Sequence, residues 1–236
     1  MDFWVYFAAK PLFWVILTTS VFIFACWVNR RANGSPLLHP VLVSMFIIIV
    51  FLVFTGTDYK TYFEGAQFIH FLIGPATVAL AVPLFDHFKR IREMWLSIFI
   101  ACFTGALVAM VSVLLVAMMF GLPDELLLTL APKSVTTPIA IGIAEKIGGI
   151  TSMAAGFVLI TGAMGCLMAP FVFRVLGIKD DAVKGFALGL AAHGFGTASA
   201  FEMSALAGAF AGLAMGIIGL MTAFLVPVVV AVLGIG

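Results

Sequence analysis

The sequence predicts an all-α polytopic membrane protein with about six full transmembrane helices, two opposed re-entrant or broken helical segments, and a transporter-like layout with a hint of inverted repeats. Three observations carry this. Hydrophobic residues make up 64% of the 236 and charged ones only 10%, with a mean hydropathy of +1.23, against an apolar share of about 45–50% in soluble domains. Six apolar stretches are long enough to cross a bilayer, which takes about 20 residues. The basic residues also gather in alternate connections.

In chain order the expected spans are about 11–28, 37–55, 66–86, 94–120, 149–173 and 208–234, within a single integral membrane domain, 1–236. Asp2 and Lys10 flank a short apolar run with no small-residue cleavage site, so no removed signal peptide is expected. Arg30 and Arg31 follow the first span, Lys89, Arg90 and Arg92 the third, and Arg174, Lys179 and Lys184 the fifth. Setting these connections on one side makes that side cytoplasmic by the positive-inside rule. The N-terminus is then outside. Asp58, Glu64, Asp124 and Glu125 fall on the opposite side.

That orientation constrains residues 121–148. The fourth span ends outside and the fifth must begin there, while two further crossings would need about 40 apolar residues. A re-entrant hairpin follows: an arm over Glu125–Leu130, a break over Ala131–Thr137, and an arm from Pro138. Thr137 before Pro138 reads as a capped helix start, since proline at the first turn forfeits no needed N–H. A helix that starts at membrane depth points free N–H groups and a positive dipole end into a low-dielectric space, which suits an anion.

Residues 184–206 form the second irregular stretch. Gly194 and Gly196 interrupt its helical pattern, and Thr197 or Ser199 can cap the arm that follows. It is either a broken span or a hairpin entering from inside, and the hairpin is favoured because it mirrors the first. A full crossing would instead give seven spans and a cytoplasmic C-terminus.

The third span carries Gly74-Pro75 and Pro83, so a kink is expected there. His39-Pro40-Val-Leu-Val loosely echoes Thr137-Pro138-Ile-Ala-Ile, as an internal repeat would. Opposed irregular segments in related halves are a pattern of secondary transporters. Gly208, Gly212, Gly216 and Gly219 in the last span permit close packing and lateral association, with a homodimer favoured.

Polar groups inside a membrane are costly, so they are candidates for function. Lys133, Ser134, Thr136, Thr137 and Pro138 sit at the first break, and His193, Gly194, Gly196, Thr197 and Ser199 at or after the second. Lys133 with the N–H groups of the Pro138 arm could hold a carboxylate, and the hydroxyls could bond a neighbouring oxygen. Alternatively, Lys133 snorkels to the outer surface. His193, Glu202 and Glu145 are candidates for proton coupling, with a neutral, backbone-bonded ring and an interfacial carboxylate as the plainer readings of the first two. His39 and His70 lack sequence partners that would make them stronger candidates. Cys26, Cys102 and Cys166 show no CxxC spacing, so neither disulfide nor metal is expected. The balance of 12 basic and 11 acidic residues argues against a nucleic-acid partner. With no nucleophile triad, phosphate loop or paired carboxylates, neither enzyme activity nor a cofactor is expected.

Pro132-Lys-Ser-Val-Thr-Thr-Pro138-Ile-Ala, Gly148-Gly-Ile150, and Ala192-His-Gly-Phe-Gly-Thr-Ala198 with Glu202 after it resemble the LrgB/CidB family of bacterial membrane proteins, as do Pro36-Leu-Leu-His-Pro40 and Thr55-Gly-Thr-Asp-Tyr59. The family includes the related part of the plastidial glycolate/glycerate translocator. The resemblance implies one of two roles: a holin-like or antiholin-like modulator of murein hydrolase activity and autolysis, acting with a small LrgA/CidA partner, or movement of pyruvate, glycolate or glycerate across the membrane. The paired hairpins and the capped anion pocket favour the second.

Overall fold

The computed structural model describes residues 11–235 except 33, 36 and 37. Asp2, Lys10, Pro36 and Leu37 lie outside the described residues. Among the described residues twelve helices follow one another: α1 Pro11–Arg31, α2 Pro40–Thr55, α3 Tyr59–Phe71, α4 Ile73–Ala79, α5 Ala81–Asp86, α6 Phe88–Glu93, α7 Trp95–Met119, α8 Asp124–Leu130, α9 Thr137–Ile147, α10 Thr151–Val175, α11 Asp181–Met203 and α12 Ala205–Leu233. The expected all-helical, polytopic membrane architecture is what the structure has. Among the described residues, five helical runs are long and apolar enough to cross a bilayer: Pro11–Arg31, Tyr59–Asp86, Trp95–Met119, Thr151–Val175 and Ala205–Leu233. The second expected span is shorter, since α2 has 16 residues, about 24 Å at the helical rise.

The chain divides into two compact units, Met1–Ala79 and Leu80–Gly236. In the first, Trp14 is fully buried and meets Phe51 and Tyr62 edge-on. A side chain at Gly65 would collide with the Trp14 ring, so the glycine lets α3 lie against α1. Asn29 closes the turn after α1 by donating from Nδ2 to the carbonyls of Ser35 (3.0 Å) and Leu38 (2.9 Å).

The kink expected in the third span is present but displaced. The run is interrupted at Leu72 and Leu80, each three residues before a proline, Pro75 and Pro83. A proline removes the N–H that would reach back four residues, and its ring pushes against that carbonyl. The disturbance therefore sits a turn upstream of the proline.

The second unit is organised along α12. Its outer surface is apolar, with Met119, Phe120 and Phe85 largely exposed, as lipid-facing side chains would be. Lipid tails are as apolar as leucine, so burial from water does not hold such helices together; close packing does. Small residues supply it. A Cβ at Gly185 would lie 2.0 Å from the Ala207 carbonyl oxygen, and one at Gly189 would lie 2.1 Å from that of Ala211. Backbone therefore rests on backbone along both contacts. Of the glycines expected to pack the last span, Gly208 faces the Phe201 ring and Gly219 faces Ile139, while Gly216 faces open space.

Candidate functional site

Two hairpins lie along α12, one on each half of it. The first is α8, the break 131–136, and α9. Leaving Leu128, the chain returns to it at Gly148 and Gly149, where a Cβ on Gly149 would sit 2.9 Å from the Thr129 amide nitrogen. Thr129, fully buried, locks this closure: its Oγ1 donates to the Glu125 carbonyl (2.6 Å) and accepts from the Ile150 amide (2.8 Å). Leu127, Leu128, Ala131 and Ile143 pack with Leu114 of α7 and with Val226 and Val230 in the second half of α12.

The break carries the predicted polar cluster. Pro132, Ser134 and Val135 are buried and Lys133 is half-buried, its Nζ donating to Ser134 Oγ at 3.0 Å. The cap differs from expectation. Thr136, not Thr137, is the N-cap residue, with extended backbone (φ −69°, ψ 150°) and no side-chain capping bond. Pro138 forces this register, because the missing N–H and fixed φ suit a position inside the first turn. The first-turn amides of α9 consequently lack intrahelical partners, and Thr136, Thr137 and Pro138 surround them, the last exposed.

The second hairpin is α11. A straight helix of 23 residues would hold its ends about 33 Å apart, yet Ser204 Oγ donates to Asp181 Oδ2 at 2.9 Å. A Cβ on Gly196 would likewise fall 2.0 Å from the Leu188 carbonyl oxygen. The chain reverses between them. The turning residue is His193 (φ 40°, ψ −118°), the one described non-glycine residue with positive φ. This corrects the expectation that Gly194 and Gly196 make the break. Gly196 is spent on the close pass of the two arms, while a Cβ on Gly194 would meet nothing within 4 Å. Such a backbone costs about 1–3 kcal/mol in a residue with a side chain. Thr197 does not cap the second arm; its Oγ1 reaches back to the His193 carbonyl (2.8 Å). Ser199 Oγ donates to Cys166 Sγ (3.6 Å).

Both breaks pack on α10 one turn apart: Val135 of the first clusters with Val158, and His193 of the second lies against Gly162. His193 is 2% exposed and its Nε2 has no hydrogen-bond partner among the described residues. Other predicted residues lie away from this point. Glu202 is exposed near the base of the second hairpin and Glu145 is exposed on α9. Gly162 and Gly165 of α10 escaped sequence reasoning. A Cβ on Gly162 would touch His193 Cε1 and Phe195 Cδ2 at 2.9 Å, and one on Gly165 would meet the Ala192 Cβ at 2.8 Å. Their three-residue spacing, one helix face, was the available signal.

In the connection between α10 and α11, Asp180 caps α11 by accepting from Ala182 N (2.8 Å) and Val183 N (3.3 Å). It also pairs with Arg90 at 2.6 Å. Desolvation pushes its carboxyl upward, but the Arg90 and backbone hydrogen bonds together with the Arg90 charge outweigh that and hold it below its ordinary value.

Residues 18–232 match the LrgB-like family. The chain belongs to this family. Among its LrgB-like relatives, the holin-like protein CidB of Staphylococcus epidermidis is 30% identical over 216 residues, covering 92% of this chain and 94% of that protein. The Bacillus subtilis protein YxaC is 35% identical over 216 residues, with the same coverage. The holin-like protein CidB of Staphylococcus aureus is 29% identical over 221 residues, 94% of this chain and 96% of that one. No solved structure matches.

Proposed function

We propose that this LrgB-like protein is a secondary transporter of a small monocarboxylate of the pyruvate, glycolate or glycerate kind, working by alternating access in a bacterial cytoplasmic membrane. One observation supports the reading: the break that carries Lys133 and the break that carries the buried His193 pack on α10 one turn apart, at Val158 and at Gly162. Irregular backbone of this kind is tolerated at membrane depth where it is buried in protein or lines a cavity. Lys133 and the free amides of α9 take the carboxylate. His193, with Thr197 and Ser199 behind it, faces the substrate's second oxygen. His193, Glu202 and Glu145 are the groups to test for proton coupling. The N-terminus lies outside, both units act as one membrane domain, and the protein works as a homodimer beside a small LrgA/CidA-type partner.

Two relatives carry the name holin-like. That naming favours a second reading, an oligomeric membrane protein that modulates murein hydrolase activity and autolysis, and the comparisons support it more than they support transport. Proteoliposomes separate the two. Saturable uptake of labelled pyruvate or glycolate under a proton or sodium gradient, lost in Lys133→Ala, supports the transporter. Absence of uptake with either gradient, together with dye leakage that persists in Lys133→Ala and Thr137→Val, supports the holin-like protein.

A further inference from the structure

Gly162 lies buried at the centre of α10, beneath the turning residue of the second hairpin. There is no room for even a methyl group: its first carbon would lie 2.9 Å from both His193 Cε1 and Phe195 Cδ2, and 3.3 Å from Phe195 Cγ. One turn along the same face, Gly165 receives Ala192, the residue before the turn. Gly156, six residues the other way and about 120° round the helix, faces nothing within 4 Å. What Gly162 seats is an imidazole buried to 98% with its Nε2 unpartnered. A buried polar nitrogen left unbonded is costly, and the contact with Gly162 and Phe195 fixes the ring in that state.

We propose that Gly162 is a positioning residue: it sets the depth of the His193 ring, and through it the placement of the imidazole relative to the second oxygen of the bound substrate. The proposal rests on the transport reading for its ligand but not for its geometry. A Cβ at residue 162 drives the ring and Phe195 off α10, moving Nε2 by a fraction of an ångström to an ångström. Displacements of that size can cost about 100-fold in rate or affinity. Because the ring acts in binding, the loss should fall on KM and leave the maximal rate nearly unchanged.

The experiment compares wild type, Gly162→Ala and Gly156→Ala in proteoliposomes and nanodiscs, with His193→Gln to assign signals. The chain has four histidines, so ¹⁵N-histidine labelling gives a spectrum in which the His193 ring can be picked out. Gly162→Ala is expected to shift the His193 ring signals and to raise KM for pyruvate or glycolate about 10- to 100-fold, while Gly156→Ala does neither. An unmoved His193 signal, or equal effects of the two alanines, overturns the proposal. Should Gly162→Ala fail to accumulate, Gly165→Ala decides the matter by the same signal, moved in support or unmoved against. If the wild type shows no uptake, the transport reading fails and the spectra alone judge the seat.

Discussion

Ser204 Oγ lies 2.9 Å from Asp181 Oδ2, joining the residue after α11 to the first residue of it. The same Ser204 oxygen accepts from the Ala207 amide at 3.2 Å and so caps α12. One hydroxyl closes a hairpin and starts a helix. Cysteines at positions 181 and 204 should therefore cross-link readily in native membranes, and failure to do so under oxidation would count against the hairpin. Ser204→Ala should lower stability by about 2–5 kcal/mol, the sum expected for a lost cap and a lost bond to a carboxylate, read from a detergent melt.

Gly196→Ala should be damaging and Gly194→Ala mild, although both glycines sit beside the turn. The first places a carbon 2.0 Å from the Leu188 oxygen and the second meets open space. Overpacking of this kind costs about 1–3 kcal/mol or more, so Gly196→Ala should melt several degrees lower. Equal melting temperatures for the two would contradict the arm-to-arm contact.

Thr129→Val should strip the Ile150 amide of its buried partner, at about 1–3 kcal/mol. Hydrogen exchange offers a local check: the Ile150 amide should lose protection while amides in the middle of α12 keep theirs.

The Arg90 and Asp180 pair gives a pH signature. A carboxyl held below its unfolded value, about 3.9, contributes stability that is complete above that value and disappears as pH falls through the lower folded one. Stability should then be flat in this respect from pH 5 to 8. In Arg90→Gln, with the arginine bond and charge gone, the acid-induced drop should begin at higher pH. The pair is nearly half exposed, so its worth near neutrality is within about 1 kcal/mol and falls with salt. An acid profile identical to wild type would refute the assignment.

On the proposed transport reading, Lys133→Ala should reduce carboxylate affinity by roughly 10- to 100-fold, the range for losing a hydrogen bond to a charged group, with Lys133→Arg intermediate. Uptake kinetics at varied substrate concentration check this.

Much of this molecule is legible in its residues, because apolar length and loop charge are strong one-dimensional signals. The break before Thr137-Pro138 was visible because proline acts locally. The turn at His193 was not. Local propensity points to Gly194, and only the approach of Leu188, eight residues back, explains why Gly196 is reserved and a histidine bends. Gly162 was hidden for a similar reason, since its neighbour His193 comes from another helix, 31 positions on. The displaced kinks at Leu72 and Leu80 were readable in principle from the reach of a proline ring.

The glycine contacts also fix a length. Gly185 meets Ala207 and Gly189 meets Ala211, each pair 22 positions apart, so the chain between them works as a ruler. A single inserted or deleted residue within the hairpin would bring a side chain where only hydrogen fits, and would do so at both contacts at once. Chimeras between relatives should accordingly tolerate exchanges of the whole block 181–215 and fail when a junction changes the spacing inside it.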